Sequence, residues 1–369
     1  MRNFASRLTP HTSQRKPLLA LLLIGAALLL APFLVQAGLG TYWVRVLDLA
    51  LLYVMLALGL NIVVGYAGLL DLGYVAFYAV GAYLYALLAS PHFGLHLPFW
   101  ILLPLGALVA GLFGVLLGTP TLRLRGDYLA IVTLGFGEII RIFMNNLDRP
   151  INITNGPQGV NLIDPIAFGR FSLAQPQALF GMNSAQAYYY LFLLLALAIM
   201  LICVRLQDSR IGRAWAAIRE DETAAEAMGI NTRNMKLLAF AMGASFGGVS
   251  GGLFASFQGF ISPESFNLME SIMILCMIVL GGMGHIPGVI LGAVLLTVLP
   301  EALRYVGDAQ RALFNHVYVD PADLRMLLFG LALIAMMIYR PAGLWPSAQR
   351  RRELKPADEI PGELYDERA

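Results

Sequence analysis

Long apolar segments with few or no charged residues dominate the chain, and they constrain its fold more than any other feature. A helix needs about 20 apolar residues to cross the roughly 30 Å hydrocarbon core of a bilayer. Only 13% of the 369 residues are charged, whereas soluble domains carry about a quarter. The sequence therefore predicts an all-α, polytopic membrane protein with ten spans, near 18–36, 42–64, 66–89, 98–119, 127–146, 188–206, 236–258, 268–283, 287–303 and 324–340.

Two of the predicted turns between spans are very short and rich in glycine. Residues 65–68 and 281–288 could form re-entrant hairpins instead of joining two full crossings, so eight to ten spans is the predicted range. The segments VVGYAG and VLGGMG within them resemble each other and could mark an internal repeat.

The distribution of basic residues predicts the orientation. Most of the 25 Lys and Arg residues fall at the N-terminus, in 120–126, in 207–236 and after 339. Short loops rich in Lys and Arg stay in the cytoplasm. We therefore expect both termini inside, with a basic cytoplasmic N-terminus (1–16), a permease domain (17–345), and a disordered cytoplasmic tail (346–369).

Two further readings concern segments outside the core of the bundle. The segment 147–187, poor in charge, is expected on the outside as loop or short amphipathic structure. Residues 1–37 also resemble a secretory signal, but the apolar segment is longer than a signal core, which favours an uncleaved first span.

The segment 207–235 is strongly charged and lies between two predicted spans. Its pattern predicts a helix over 210–219 and a second over 221–228, with an N-cap at Asp221 and Gly229 as the residue after the helix. The acidic residues would be repelled by an anionic membrane surface, so a groove of a soluble partner is favoured over the bilayer. The residues expected to carry this docking are Ile211, Arg213, Trp215, Ile218, Arg219, Glu220, Asp221, Glu222, Ala225, Glu226 and Gly229.

Within that segment, the stripe of Ile211, Trp215 and Ile218 is expected to enter the partner's groove, with Trp215 as anchor. Glu222 and Glu226 are expected at the rim of the groove.

Polar residues and glycines at membrane depth are candidates for the transport pathway. Asp71 could instead cap the helix that follows it, and Glu138 and Arg141 could pair across one helical turn. The segment 154–159 is predicted to form a specific turn, whose amides could line the outer mouth of a pathway. The candidates are Asn61, Gly65, Gly68, Asp71, Glu138, Arg141, Asn155, Gly156, Gly281 and Gly284.

Glycines four residues apart, at 243, 247 and 251 and at 248 and 252, predict close helix crossings, either within the chain or at a subunit interface. No phosphate-binding loop, zinc-protease motif or nucleophile elbow is present, and the two cysteines lie in apolar segments. The sequence therefore predicts no enzyme, no metal site and no cofactor on this chain.

Several segments resemble successive blocks of the branched-chain amino acid permease family of ABC importers, and within it the M-type (LivM-like) subunits. They are LGLNIVVGYAGLLDLGYVAFYAVGAYLYALL, RGDYLAIVTLGFGEIIRIFMNN, ITNGPQGV, IGRAWAAIREDETAAEAMGI, FISPESFNLMESI and IVLGGMGHIPGVILGAVLL. The resemblance covers roughly 48–344. The motif EDETAAEAMGI resembles the coupling motif of ABC importer permeases. That motif forms a short helix, which fits into a groove of the ATPase subunit.

The resemblance implies a bacterial inner-membrane importer. Its partners would be a sister permease (LivH-like), two ABC ATPases that hold ATP and Mg²⁺, and a periplasmic or lipid-anchored binding protein. Leu, Ile and Val are the implied solutes, while urea, amides and other amino acids remain alternatives within the family. An ion-coupled secondary transporter and a membrane scaffold without transport remain open as different classes.

Overall fold

A computed structural model of the protein describes residues 15–121, 124, 126–149, 152–168, 171–174, 182–314, 321–340 and 343–345. The described residues are mostly helical. The helices are α1 (Arg15–Leu39), α2 (Thr41–Asn61), α3 (Val75–Leu88), α4 (Phe99–Thr121), α5 (Asp127–Asn146), α6 (Ser184–Gln207), α7 (Arg210–Glu220), α8 (Glu222–Ala227), α9 (Thr232–Gln258), α10 (Leu268–Gly281), α11 (Ile286–Phe314) and α12 (Pro321–Tyr339).

Shorter elements join these helices. A π-helical turn (Ile62–Tyr66) continues α2, and 3-10 turns lie at Gly156–Gln158 and Pro263–Phe266. The strands are β1 (Val160–Asn161), β2 (Ala167–Phe168), β3 (Phe171–Ser172) and β4 (Phe260–Ile261). β1 pairs antiparallel with β4, and β2 pairs antiparallel with β3.

All ten predicted spans contain a helix, which confirms the all-α, polytopic membrane architecture. Seven helices in the described part of the chain are long and apolar enough to cross a bilayer. Three shorter apolar helices lie at Gly25–Leu39, Val75–Leu88 and Leu327–Met336. The count of ten full crossings therefore stays a prediction.

The third predicted span is wrong in its first half. A helix was expected over 66–89, but α3 begins only at Val75, because Gly68 has a φ of +70° that breaks the helical path. The backbone N–H of Val75 donates to Oγ of Ser271 on α10, at 3.0 Å. A residue from another helix thus satisfies an amide that an N-cap usually satisfies.

The connections between helices gather at two ends of the bundle. At the end we call the β end, the amide of Asp164 donates to the carbonyl of Ala89 at 2.7 Å, beside the β1–β4 pair. At the opposite end, which we call the α7 end, lie α7, α8 and the two glycine-rich turns at 65–68 and 281–288. We call these two turns the breaks. The predicted outer segment 147–187 belongs to the β end, and its described parts contain three of the four short strands.

Helix α9 packs in the middle of the bundle through its glycines. A β carbon at Gly248 would lie 2.6 Å from the carbonyl oxygen of Gly106 on α4, and one at Gly251 would lie 2.1 Å from that of Tyr78 on α3. Neither position has room for a side chain, so α3 and α4 approach the backbone of α9 directly. The glycine pattern on α9 therefore serves packing within the chain.

Helix α1 is fastened to α6 by two tyrosine hydroxyls. Tyr189 donates to the carbonyl of Leu28 at 3.0 Å, and Tyr190 donates to that of Leu29 at 2.6 Å. Pro32 has no amide to offer the carbonyl four residues earlier, and that carbonyl is Leu28's. The predicted N-terminal segment 1–16 and the predicted tail 346–369 lie outside the described residues, apart from Arg15 and Lys16 at the start of α1.

Candidate functional site

Helices α7 and α8 form a two-helix unit, residues 209–231, which we call the module. Ser209 begins α7 by accepting hydrogen bonds from two amides of the first turn, at 3.1 and 3.2 Å. Asp221 does the same for α8, at 2.8 and 3.0 Å. Gly229 follows α8 with a φ of +83°. The predicted N-cap and the glycine after the helix are confirmed, as are the two helices to within about two residues.

The apolar side of the module faces the protein's own bundle. Trp215 is completely buried, and its indole N–H donates to the carbonyl of Met235 on α9 at 2.7 Å. Ile218 and Ala225 are buried as well, and Ile211 packs against the same core. The expectation that Trp215 anchors the module in a partner's groove is therefore wrong, because the side chain already fills a site within this chain. We call this side the inner face.

Two acidic residues also hold the module to α9. Nζ of Lys236 lies 2.5 Å from Oε1 of Glu222, and the lysine side chain is only 6% exposed. Oγ1 of Thr232 donates to Oε1 of Glu226 at 2.6 Å. The expectation that Glu222 serves the rim of a partner's groove is wrong, since its carboxylate pairs with Lys236 at the start of α9. Glu226 bonds to Thr232 but stays exposed, so its place at the rim stays a prediction.

The opposite side of the module is exposed, and we call it the outer face. Met228 is 83% exposed, which is the largest exposure among the large apolar side chains of the described residues. Around it lies a mixed surface of short and charged side chains. The other exposed members are Arg210, Arg213, Ala216, Glu220, Asp221, Thr223, Ala224, Glu226, Ala227 and Gly229.

The two glycine-rich breaks meet beside the module. Oδ1 of Asn61, at the end of α2, accepts a hydrogen bond from the amide of Gly284 at 2.9 Å. A β carbon at Gly65 would lie 2.7 Å from that same amide nitrogen. Gly284 has a φ of +79°. The two segments that resemble each other in sequence are therefore in direct contact at the α7 end.

The π-helical turn after α2 leaves the carbonyl of Gly65 without its usual backbone donor, and Arg219 of α7 donates a hydrogen bond to it. The amide of Leu69 donates to the carbonyl of Val63 at 3.0 Å, whereas a continuous α-helix would direct it to Gly65. Nη1 of Arg219 donates to the carbonyl of Gly65 instead, at 2.8 Å. A polar bond thus ties the module to the break.

The stem of Arg219 also requires glycine on the first break. A β carbon at Gly68 would lie 2.7 Å from Cγ of Arg219, and one at Gly284 would lie 3.4 Å from its Nη1. Arg219 therefore bonds to the first break and lies beside the second. Gly281, by contrast, lies in the close approach of α10 to α11, where its β carbon would meet the carbonyl oxygen of Gly288 at 2.2 Å.

Asp71 does not cap α3, so that prediction is wrong. The helix begins at Val75, and Oδ1 of Asp71 accepts from the amide of Gly73 at 2.9 Å, which closes a turn between the first break and α3. The residue is completely buried. The amide of Leu72 donates to Oγ1 of Thr133 at 3.0 Å, which fixes the same segment to α5.

The candidates near the β end form a separate group. Nη2 of Arg141 lies 2.5 Å from Oε1 of Glu138, and its Nε lies 3.1 Å from both carboxylate oxygens. The predicted pairing is confirmed. Nη1 of Arg141 also reaches Oε1 of Glu264, at 3.3 Å.

The predicted turn at 154–159 is confirmed as well. Asn155 has a φ of 62° and Gly156 one of 54°. The side-chain amide of Asn155 donates to the carbonyl of Gly159 at 2.9 Å, and its backbone N–H donates to Oδ1 of Asn152 at 2.8 Å. These donors are used within the turn, which favours a structural role over a lining role.

Comparison with known proteins decides the family. Residues 42–337 match the family model described as branched-chain amino acid transport system / permease component. The chain belongs to this permease family. The match includes both breaks, the module and the Glu138–Arg141 pair. No solved structure matches the chain.

Curated relatives cover both permease types of such systems. The permease is 43% identical to the high-affinity branched-chain amino acid transport system permease protein LivM of Escherichia coli, over 93% of this chain and 77% of the relative. It is 27% identical to a probable LivM of Methanocaldococcus jannaschii, over 80% of this chain and 90% of the relative. It is 25% identical to the permease protein LivH of Escherichia coli, over 79% of this chain and 90% of the relative.

Several residues of the permease escaped the sequence reasoning. Glu264 bonds to Arg141, 123 positions away, and Lys236 bonds to Glu222 across the turn between α8 and α9, so neither contact follows from the spacing within one helix. Met228 could have been noticed as an apolar residue at the end of a charged helix. Asp48 is buried in α2, and neither carboxylate oxygen has a hydrogen-bond partner among the described residues. Its position inside a predicted span was a sufficient signal, because ionisable residues at membrane depth are rare.

Proposed function

We propose that this permease is one of two membrane-spanning subunits of an ATP-driven, binding-protein-dependent importer of branched-chain amino acids. It would lie in the bacterial inner membrane with both termini in the cytoplasm. A LivH-like sister permease, two ABC ATPases that hold ATP and Mg²⁺, and a binding protein on the outer side would complete the assembly. The names of the relatives support the solute class, since both LivM and LivH proteins are described as parts of branched-chain amino acid transport systems.

One observation carries the coupling part of the proposal. On one side the module presents an exposed outer face, and on the other its Arg219 bonds to the first break and lies beside the second. A unit that is placed in this way can transmit movement of a partner to the spans. The breaks at 65–68 and 281–288 are positions where α2 and α10 can change direction, because glycines with positive φ (Gly68, Gly282 and Gly284) interrupt the regular helix there.

On this proposal, the outer face docks an ATPase, and Met228 takes the anchoring role that Trp215 was expected to have. An exposed methionine amid small side chains suits insertion into an apolar pocket of a partner. Arg213, Glu220 and Asp221 would lie at the edge of the contact, where charges guide association more than they contribute affinity.

Energy dependence tests the proposal. The permease would be reconstituted into liposomes with its sister permease, the ATPases and the binding protein, and uptake of labelled leucine would be measured with ATP enclosed. We expect uptake that requires ATP and persists when a protonophore collapses the proton gradient. Uptake that follows the gradient and ignores ATP would establish a secondary transporter. ATP-dependent uptake of urea or an amide with no leucine uptake would correct the solute.

A further inference from the structure

The exposed side of α5 differs from that of its neighbour α4. We call this side the α5 stripe; it consists of exposed or half-buried residues that recur at helical spacing, namely Tyr128, Ile131, Gly135, Glu138, Ile139 and Ile142. Of the seven long apolar helices in the described residues, α5 is the least buried within the chain. Because α5 is so exposed and carries a charge pair, we expect its exposed side to contact something other than this chain.

The depth of the charge pair excludes hydrocarbon as that covering. Glu138 lies eight residues before the end of α5, at Asn146, so the carboxylate is about 12 Å along the helix from the β end at 1.5 Å per residue. The side chains of Glu138 and Arg141 keep 40% and 24% of their surface exposed. Charged groups at such depth face other protein or a water-filled space rather than lipid.

A glycine on the same stripe has no neighbour. A β carbon at Gly135 would find nothing within 4 Å, whereas the glycines along α9 up to Gly251 meet backbone or side chains of other helices at 3.4 Å or less. Glycine in a membrane helix allows another backbone to approach closely. Within the chain, no helix uses this opportunity at Gly135.

Helix α4 has an exposed side of a different composition. Leu108, Leu112 and Leu116 are each 60% exposed and follow one another at four-residue spacing. These three residues are all apolar, as suits contact with lipid tails. The stripe of α5 has comparable exposure at Ile131 and Ile139, both 64%, but includes a carboxylate and an open glycine.

We infer that the α5 stripe is the surface on which this permease meets its sister permease, with Glu138 and Arg141 facing the space enclosed between the two chains. The inference rests on the proposed function. The occupant follows from the relatives, since this chain is 25% identical to LivH over 90% of that protein and the two share one family pattern. Related chains of one fold pair through equivalent surfaces, so α5 of the sister chain is the element that covers this stripe.

Cross-linking tests the assigned surface. Cys203 and Cys276 would be replaced by alanine, and single cysteines introduced as Gly135→Cys, Ile139→Cys or, on α4, Leu108→Cys. The sister chain would carry one cysteine at its position aligned with Gly135, and a short bifunctional thiol reagent would be added to membranes of the assembled transporter. We expect a product containing both chains from the two α5 variants and none from Leu108→Cys.

Other outcomes separate the assigned surface from the proposed function. A product from Leu108→Cys alone, or from none of the variants in a complex that still imports leucine, would overturn the surface and leave the function standing. A product that contains two copies of this chain would overturn the choice of occupant. A sister chain that never co-purifies with this permease would overturn the proposed function itself.

A substitution at Gly135 tests the assigned surface independently of cross-linking. A β carbon at Gly135 has nothing within 4 Å, so with Gly135→Leu the isolated permease should unfold at an unchanged temperature while co-purification of the sister chain falls at least tenfold. Gly25→Leu is the control, because Gly25 on α1 is open in the same way. Unchanged co-purification with Gly135→Leu would mean that lipid covers the α5 stripe, which would overturn the inference.

Discussion

The two faces of the module differ in what they contact, although one short segment of sequence forms both. The inner face is completed by the chain itself: Trp215 bonds to the start of α9, and Glu222 pairs with Lys236. The outer face leaves Met228 and a surface of small and charged side chains exposed. Changes on the inner face should therefore alter the permease, and changes on the outer face should alter its association with the ATPase.

The largest effect is expected from Trp215→Ala on the inner face. The change removes a fully buried indole and leaves the carbonyl of Met235 without its donor. Loss of a large buried aromatic costs about 3–5 kcal/mol. Thermal unfolding of the purified permease in detergent, without partners, should show a clear loss of stability. Unchanged stability of the isolated chain, combined with loss of the ATPase, would restore Trp215 as a partner contact.

A second effect on the inner face concerns the buried ion pair. Lys236→Met removes a buried cation from beside the carboxylate of Glu222, and breaking a buried ion pair costs about 3 kcal/mol. The double variant Lys236→Met with Glu222→Met should recover part of that stability, because no uncompensated charge remains. A double variant that is as unstable as the sum of the two single variants would show that the pair is not coupled.

A smaller effect is expected from Met228→Ala on the outer face. The stability of the isolated permease should not change, since the side chain is 83% exposed. Its affinity for the ATPase should fall about tenfold to thirtyfold, equivalent to about 1.4–2 kcal/mol, as for an anchor residue in a pocket. Titration of purified ATPase onto the permease in nanodiscs measures this directly. Full affinity would place the docking contact elsewhere on the module.

The comparison also marks the limit of sequence reasoning for the module. Helix bounds, the caps and Gly229 were predictable, because capping depends on residues within one turn. The apolar stripe at 211, 215 and 218 predicted burial correctly but not the burying surface. The helical spacing of apolar residues predicts that a face is buried. It does not predict whether the same chain or a partner buries it.

The same limit applies to the spans and the breaks. Apolar segments located a helix in each of the ten predicted spans, because crossing a bilayer requires a long apolar helix. The start of α3 was misplaced, since residues 66–74 continue the apolar pattern while Gly68 takes a positive φ. The contact between Arg219 and Gly65 joins residues 154 positions apart. No local pattern contains such a pair, so the candidates for coupling and for gating looked like separate sites.

The central claim is that Arg219 links the module to the two breaks, and coupling stoichiometry tests it most directly. In proteoliposomes of the complete transporter, leucine imported per ATP hydrolysed would be compared for the native chain, Arg219→Ala, and Arg205→Ala as an exposed control on α6, outside the module. We predict that Arg219→Ala retains the ATPases and hydrolyses ATP, while leucine import per ATP falls at least tenfold. Arg205→Ala should match the native ratio. An unchanged ratio for Arg219→Ala, with the complex intact, would contradict the account.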